Sequence, residues 1–303
     1  MVSVLNLSHL RKYAAIPLFT LVSGCNTVVL NPSGDVAAQQ RDLLVHSTVL
    51  MLLIIIPVMA LTVWFAWKYR ASNRDARYEP DWHHSTRLEL VIWAAPLLVV
   101  ICLGALTWLG THLLDPYRPL DRIAPGKPVA HGVRPLEVNV VALDWKWLFI
   151  YPEYGFATVN ELAVPVNRPI ALSITASSVM NSLYIPHLAG QIYAMPGMET
   201  KLHGVLNEKG VSQGFSANYS GAGFSGMRFI VRSLSDEDFQ KWLQDVRNSD
   251  GELTREGYVE LAKPSENEPA RRYRKVDESL YHAILNRCVQ PGTMCMDHRM
   301  AHE

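Results

Sequence analysis

Five residues in one short stretch have side chains and intervals that suggest a metal site. The stretch "FSANYSGAGFSGM", residues 215–227, contains Ser216, Asn218, Ser220, Phe224 and Met227. A methionine thioether is a soft ligand, but a serine hydroxyl stays protonated at physiological pH and is a hard one, and a phenyl ring has no lone pair. Taken alone, the stretch indicates a Ser/Gly hairpin loop unrelated to any metal, although a site that had lost its chemistry would have the same composition.

The first of the chain's four cysteines lies in a processing signal. "LVSGC", residues 21–25, follows a basic pair and an uncharged apolar segment. This order is typical of a bacterial lipoprotein, so we predict a signal peptide over 1–24, lipidation of Cys25 by acyl chains such as palmitate, and a periplasmic segment over 25–42. A plain signal peptide with a chance cysteine, or an uncleaved first anchor, is the alternative.

The other cysteines indicate less chemistry. Cys102 lies in an apolar run, whereas Cys288 and Cys295 lie near the C-terminus, where an oxidising periplasm permits a disulfide between them. A copper-handling tail is the alternative, because soft and imidazole ligands surround Cys295, namely Met294, Met296, His298 and His302.

Two long uncharged runs predict transmembrane helices over 43–67 and 89–114. No Asp, Glu, Lys or Arg occurs in 43–67 or in 90–114, and each run exceeds the roughly 20 residues that cross a bilayer. The loop between them, 68–88, has five Lys and Arg residues against three acidic ones and is therefore predicted to be cytoplasmic. The rest of the chain from residue 115 is then periplasmic, and its formal net charge of zero offers no basic surface for nucleic acid.

The periplasmic part divides by composition into a Pro-rich linker over 115–130, a β-sandwich over 131–233 and a helical region with a tail over 234–303. Short β-branched and aromatic segments separated by turn residues predict the sandwich. Ser235 followed by Asp238 predicts the cap of a helix. Alternating aromatic side chains in the first strand region are expected to form a sheet face packed on core or partner, with an electron-entry patch as the alternative: Trp145, Trp147, Phe149 and Tyr151.

The helical hairpin and several phrases of the sandwich resemble subunit II of the haem-copper respiratory oxidases. These phrases are "FAWKYRASN", "DWKW", "FIYPE", "ATVNE", "VMNS", "QIYAM" and "SGAGFSGM", and the match is specific over roughly residues 40–265. The resemblance is narrowest to the bo-type, ubiquinol-oxidising branch. It implies a cupredoxin-like Greek-key sandwich behind a two-helix membrane anchor.

The resemblance also explains the opening stretch. Members that accept electrons from cytochrome c hold a dinuclear copper centre through a His in an early loop and the pattern Cys-x-Glu-x-Cys-x3-His-x2-Met. These ligand positions fall here on Asn181, Ser216, Asn218, Ser220, Phe224 and Met227, of which only the last is retained. The resemblance therefore implies that no metal is bound in this domain. A residual single-copper site at His187 and His203, with Met195 and Met198 nearby, is a further alternative.

As a family member, the chain is expected to be a non-redox subunit of a proton-pumping terminal oxidase that oxidises ubiquinol and reduces oxygen to water in the bacterial inner membrane. Subunit I, accompanied by further small membrane subunits, is expected to hold the haems and one copper, so that no catalytic residue lies in this chain. Glu89 takes the place of a family glutamate at the mouth of a proton channel, or lies simply in headgroup water. The alternatives are a copper-bearing cytochrome c oxidase subunit II and a free-standing cupredoxin-like lipoprotein acting in binding or assembly.

Overall fold

Two long helices open the computed structural model, which describes residues 27–77, 79–290 and 292–297. Helix α1 covers Asp35–Lys68 and helix α2 covers Thr86–Leu113, and both are long and apolar enough to cross a membrane. Helix α1 begins eight residues before the uncharged run that starts at Leu43, so about 12 Å of helix extends beyond that run. The predicted signal peptide and Cys25 lie outside the described residues.

Two sheets form the sandwich that follows. Their strands are β3 (Leu136–Leu143), β4 (Lys146–Tyr151), β5 (Phe156–Val159), β6 (Glu161–Pro165), β7 (Ile170–Ala176), β8 (Asn181–Tyr184), β9 (Ile192–Ala194), β10 (Thr200–Gly204), β11 (Gly210–Ser216), β12 (Arg228–Leu234) and β14 (Arg271–Tyr273). One sheet has six strands in the order β10-β7-β3-β4-β5-β14, and the other has five in the order β6-β12-β11-β8-β9. In these two sheets the pairs β3–β7 and β12–β6 are parallel, and the remaining pairs are antiparallel. The expected two-sheet architecture is confirmed.

The core lies between the two sheets and under helix α3, Asp236–Arg247. Trp147, Phe149 and Tyr151 of β4 are fully buried in it, so these aromatics form a core face, as expected. Helix α3 begins as the sequence predicts, because the Ser235 hydroxyl accepts the Asp238 backbone N–H at 3.2 Å.

The region after α3 contains strands as well as the expected helices. Its short helices are α4 (Arg255–Leu261) and α5 (Leu280–Leu285), and its short strands β13 (Glu252–Leu253) and β15 (Lys275–Val276) pair with each other. A second short pair, β1 (Arg122–Ala124) with β2 (Lys127–Pro128), lies before the sandwich. Strand β14 pairs with β5 and so covers an edge of the larger sheet. Strands of two or three residues show too little alternation of apolar and polar side chains to be recognised from sequence. For this reason β1 and β2 were not predicted in the segment 115–130, which was expected to be a linker.

This C-terminal region covers the outer face of the six-stranded sheet. Val141, Leu148 and Ile150 of the sheet pack there with Tyr258 and Leu280 from the C-terminal region. Both faces of the sheet are therefore buried, which explains why β4 is buried at every position, including the Lys146 side chain that donates to the Lys263 carbonyl at 2.8 Å.

A buried carboxylate on β6 of the five-stranded sheet contacts β14, the edge strand of the six-stranded sheet. The Glu161 side chain, 3% exposed, accepts hydrogen bonds from Arg232 at 2.7 Å and from Arg272 at 2.7 and 2.9 Å. Burial raises the pKa of the Glu161 carboxyl, but the hydrogen bonds from Arg272 and Arg232 outweigh it, so the pKa lies below its ordinary value.

The N-terminal segment enters the sandwich before the first helix begins. Gly34 forms a β-bridge with Leu206, and the Asn207 N–H donates to the Ser33 carbonyl at 3.0 Å. A Cβ on Gly34 would lie 2.6 Å from the carbonyl oxygens of His187 and Val205, so only glycine permits this approach.

Candidate functional site

The positions that the resemblance pairs with copper ligands come together at one end of the five-stranded sheet. Ser216 is the last residue of β11, and the loop after it reaches β12 through a 3-10 turn at Phe224–Gly226. Asn181 begins β8, which is hydrogen bonded to β11 beside Ser216. Asn181, which the family pattern groups with the residues of this loop, therefore also lies close to them in space.

A closed hydrogen-bond network occupies the first part of this site. The Ser216 hydroxyl lies 3.2 Å from two acceptors, the Asn181 side-chain oxygen and the Asn218 carbonyl. The Asn181 amide donates to the Val179 carbonyl at 3.1 Å. Asn181 is 1% and Ser216 3% exposed, and such buried polar groups stabilise a fold only when they are paired, as they are here.

The second part of the site is largely apolar. Met227 is fully buried, and its sulfur lies 4.0 Å from the Ser220 hydroxyl. Its carbonyl accepts the Ser216 N–H at 3.1 Å. The half-buried Phe224 ring meets the Tyr219 ring edge to face, with centroids 5.6 Å apart. These contacts are ordinary packing.

Trp145 holds the loop in place, a role that the sequence alone does not indicate. Its indole N–H donates to the Ser220 carbonyl at 2.9 Å. A Cβ on Gly223 would lie 2.6 Å from the ring and one on Gly221 would lie 2.9 Å from it. The glycines of "SGAG" therefore allow the ring to lie against the backbone. Their spacing is the one feature of the sequence that could have indicated a close contact at this loop.

The donor set does not fit a dinuclear copper centre. Bridging thiolates are what soft copper ions require at such a centre, whereas the residues offer two neutral hydroxyls, two amides and one thioether. Within the described ranges, no group of three or more His, Cys, Asp or Glu residues is placed to hold a metal ion. The hydroxyl and amide at two ligand positions are already bonded to each other.

The histidines of the single-copper alternative have other partners. The His187 ring nitrogen Nδ1 lies 3.3 Å from the Ser33 hydroxyl, and the His203 Nδ1 donates to the Pro116 carbonyl at 3.0 Å. Both histidines thus join the sandwich to segments that flank the membrane helices.

Glu89 lies in the first turn of α2 and is half exposed. Its carboxylate is 2.6 Å from the His84 Nδ1. His83 instead contacts the Asp81 carbonyl at 2.7 Å. The structure therefore pairs Glu89 with one neighbouring titratable side chain.

The tail is closed by a disulfide between Cys288 and Cys295. Met296, the next residue, lies against Gly197 of the sandwich, where its methyl carbon would be 3.2 Å from an added Cβ. His298 and His302 fall outside the described residues, and Cys102 is a half-buried free thiol of α2.

Two family profiles match the periplasmic part of the chain. Residues 155–234 match the family "Cytochrome C oxidase subunit II, periplasmic domain", and residues 247–292 match "COX Aromatic Rich Motif". The first covers most of the sandwich and the former ligand loop, and the second covers the C-terminal region packed on its outer face.

Full-length relatives extend the match through the helices. The chain is 51% identical over 279 residues to cytochrome bo(3) ubiquinol oxidase subunit 2 of Pseudomonas putida, covering 91% of this chain and 86% of that one. It is 49% identical to the protein of the same name from Pseudomonas aeruginosa, over 93% of this chain and 82% of that one. It is 44% identical to ubiquinol oxidase subunit 2 of Acetobacter aceti, over 92% and 88%. The chain therefore belongs to the haem-copper oxidase subunit II family, in its ubiquinol oxidase branch, and has the cupredoxin-like domain of that family.

Proposed function

We propose that this chain is the non-redox subunit II of a proton-pumping terminal ubiquinol oxidase of the bacterial inner membrane. The hydrogen bond from the Ser216 hydroxyl to the Asn181 side chain carries the proposal, because it occupies two positions where copper-bearing relatives have ligands. Electrons then have no copper relay through the sandwich. A lipid-soluble donor that reaches the partner subunit within the membrane removes the need for one.

The chemistry of the complex balances without a redox group on this chain. Two ubiquinols release four electrons and four protons, and one oxygen molecule takes up four of each to form two waters. The haems and one copper that carry these electrons are assigned to the catalytic partner, subunit I. The names of the relatives, which are quinol oxidase subunits, support this division over a free-standing lipoprotein.

The role of the chain in this complex is structural. Helices α1 and α2 expose large apolar side chains along their length, including Leu53, Ile56, Leu97 and Leu98, and these surfaces suit lipid and the helices of the catalytic and small subunits. The sandwich, fixed to the top of α1 through Gly34, then covers the periplasmic face of the catalytic subunit.

The membrane topology completes the proposal. A signal peptide over 1–24 is removed, and Cys25 carries the acyl chains of a lipoprotein. Both helices cross the membrane, which places the loop 68–88 in the cytoplasm and residues 115–303 in the periplasm.

Glu89 takes part in proton uptake in this topology. It lies at the cytoplasmic start of α2, within hydrogen-bond distance of His84, and is open to solvent. A carboxylate in this position accepts a proton from water and passes it to a channel in the catalytic subunit.

Oxygen uptake by the complex purified through a tag on this chain tests the proposed function. We expect uptake with a short-chain ubiquinol and none with reduced cytochrome c, together with haem absorbance and no near-infrared band of dinuclear copper. Uptake with cytochrome c alone would favour the copper-bearing alternative. Purification of the chain without haem or partner would favour the free-standing lipoprotein.

A further inference from the structure

A cavity of about 350 Å³ lies where the helical hairpin meets the sandwich. Three parts of the chain enclose this junction cavity: the first two turns of α1, the end of α2 with the linker after it, and the sandwich segments near Gly190 and His203. Its lining contains none of residues 215–227, and neither Asn181 nor Glu89.

The inner part of the junction cavity lies at the depth of the lipid headgroup layer, and its outer part extends a few ångströms beyond it. A Cβ on Gly110 would lie 2.9 Å from the Leu43 side chain, so these two residues are level across the hairpin, and the uncharged run of α1 begins there. Lining residues Val36 to Gln40 then lie about 5–10 Å further out, and Leu114 about 6 Å further out, at 1.5 Å per residue. The polar layer on each side of a bilayer is about 5–8 Å thick.

The lining is amphipathic in the way that a lipid requires. Apolar side chains contribute part of the wall, and most of the remaining side chains are carboxylates, guanidiniums or amides. The apolar members are Val36, Leu113, Leu114, Pro116, Pro119, Leu120, Ala189 and Leu202.

Two arginines of the lining retain hydrogen-bond donors for a ligand. Arg122 donates through Nε and Nη2 to the buried Asp35 carboxylate at 2.9 and 3.2 Å, and Arg118 donates through Nη2 to Asp121. Each guanidinium has five N–H donors, and these side chains are 43% and 42% exposed. A phosphate is the anion that such forked donors bind best.

Carboxylates in the same lining favour a ligand that also carries a cation. Besides the paired Asp35 and Asp121, the cavity contains Asp115, which accepts the Tyr117 N–H at 2.9 Å through one oxygen and keeps the other. Three carboxylates against two guanidiniums do not suit a purely anionic headgroup. We propose that the junction cavity binds a phosphoethanolamine headgroup of an outer-leaflet phospholipid, with its phosphate at Arg118 and Arg122 and its ammonium at Asp115.

An ethanolamine headgroup fits this lining better than its relatives. Its primary ammonium donates hydrogen bonds to carboxylates, whereas the quaternary ammonium of choline has no N–H. An uncharged quinol ring would offer no anion to the guanidinium N–H donors that Asp35 and Asp121 leave unused. The bound lipid would stabilise the contact between hairpin and sandwich and take no part in electron transfer.

Native mass spectrometry of the intact, tag-purified complex tests this site. The complex is stripped of lipid in detergent and then titrated with phosphatidylethanolamine, phosphatidylcholine or phosphatidylglycerol of identical acyl chains. We expect one phosphatidylethanolamine per complex to bind most tightly, and Arg118→Gln to weaken that binding about tenfold through the loss of a charge-assisted contact. Arg274→Gln is the matched control, since Arg274 is also half exposed and paired with one carboxylate, at Glu252, in the C-terminal region.

A second variant separates loss of the site from loss of assembly. Leu120→Trp fills the cavity without altering charge and is expected to abolish the tight binding while haem content stays constant. Equal binding of phosphatidylethanolamine by the wild type, Arg118→Gln and Leu120→Trp would overturn the proposal. Equal binding of the choline lipid, release of the lipid by millimolar inorganic phosphate, or retention of a quinone in its place would each overturn the assignment to phosphatidylethanolamine.

Discussion

The Ser216 hydroxyl donates a hydrogen bond of 3.2 Å to the Asn181 side-chain oxygen, and neither residue is more than 3% exposed. Replacing Ser216 with alanine leaves the Asn181 oxygen buried without its donor. We expect Ser216→Ala to lower the free energy of unfolding of the sandwich by about 1–3 kcal/mol, measured as a lower melting temperature of the complex. Ser225→Ala, in the exposed part of the same loop, is the control, and equal melting of both variants would contradict a structural role for the pair.

The contact between Trp145 and Gly223 leaves no room for a side chain. Gly223→Ala places a Cβ 2.6 Å from the indole, so we expect the ring or the loop to shift at a cost of about 1–3 kcal/mol. Tryptophan fluorescence and thermal melting report the change. Gly210→Ala, where an added Cβ meets nothing within 4 Å, should leave both unchanged.

Because of Glu161, the stability of the sandwich is expected to fall at acid pH. Its folded pKa is depressed, so its contribution is present above the unfolded pKa of about 4.3 and is lost as the pH falls through the lower folded pKa. Glu161→Gln should cost about 1–3 kcal/mol at pH 7, because the partly exposed Arg232 and Arg272 lose charge-assisted hydrogen bonds to a buried carboxylate. The difference from wild type should shrink in melts below pH 4. Glu153→Gln, whose carboxylate is 47% exposed, should show neither effect.

The disulfide keeps the tail on the sandwich. Reduction, or Cys288→Ser with Cys295→Ser, frees a short loop whose closure contributes about 2–3 kcal/mol to the local stability of the tail and not to that of the sandwich, and Met296 should leave Gly197. We expect faster trypsin cleavage after Arg287, with unchanged melting of the sandwich. Cleavage at the same rate in both redox states would show that packing alone holds the tail.

Glu89 can be tested by its charge. Glu89→Gln keeps the shape of the side chain but cannot accept a proton, so quinol-driven oxygen uptake should fall at least about tenfold. Glu79→Gln, in the loop that precedes α2 and paired with Arg77, should retain full uptake. Normal turnover of Glu89→Gln would show that Glu89 has no role in proton uptake and lies simply in headgroup water.

Patterns that are local in the chain were the ones that could be predicted. The uncharged runs indicated α1 and α2, and Ser235 with Asp238 indicated the start of α3, because these signals lie within a few residues. Strand β14 depends on pairing with β5, more than a hundred residues away, and carries no such signal.

The site divides in the same way. The prediction that Ser216 and Ser220 stand at thiolate positions of copper-bearing relatives needs only the sequence and the family spacing. The position of Trp145 over Gly223 is a contact across the fold, and it required the structure. Lipidation of Cys25 stays a prediction, since Cys25 lies outside the described residues.

The bridge between Gly34 and Leu206 has a consequence for biogenesis. In the proposed topology, the segment before α1 and the domain after α2 meet on the same side of the membrane, although two helices separate them in the chain. The bridge can then form only after both parts have reached that side. A fragment that starts at residue 115 would lack the segment and its contact with Leu206, so in this topology insertion of the hairpin precedes formation of the bridge.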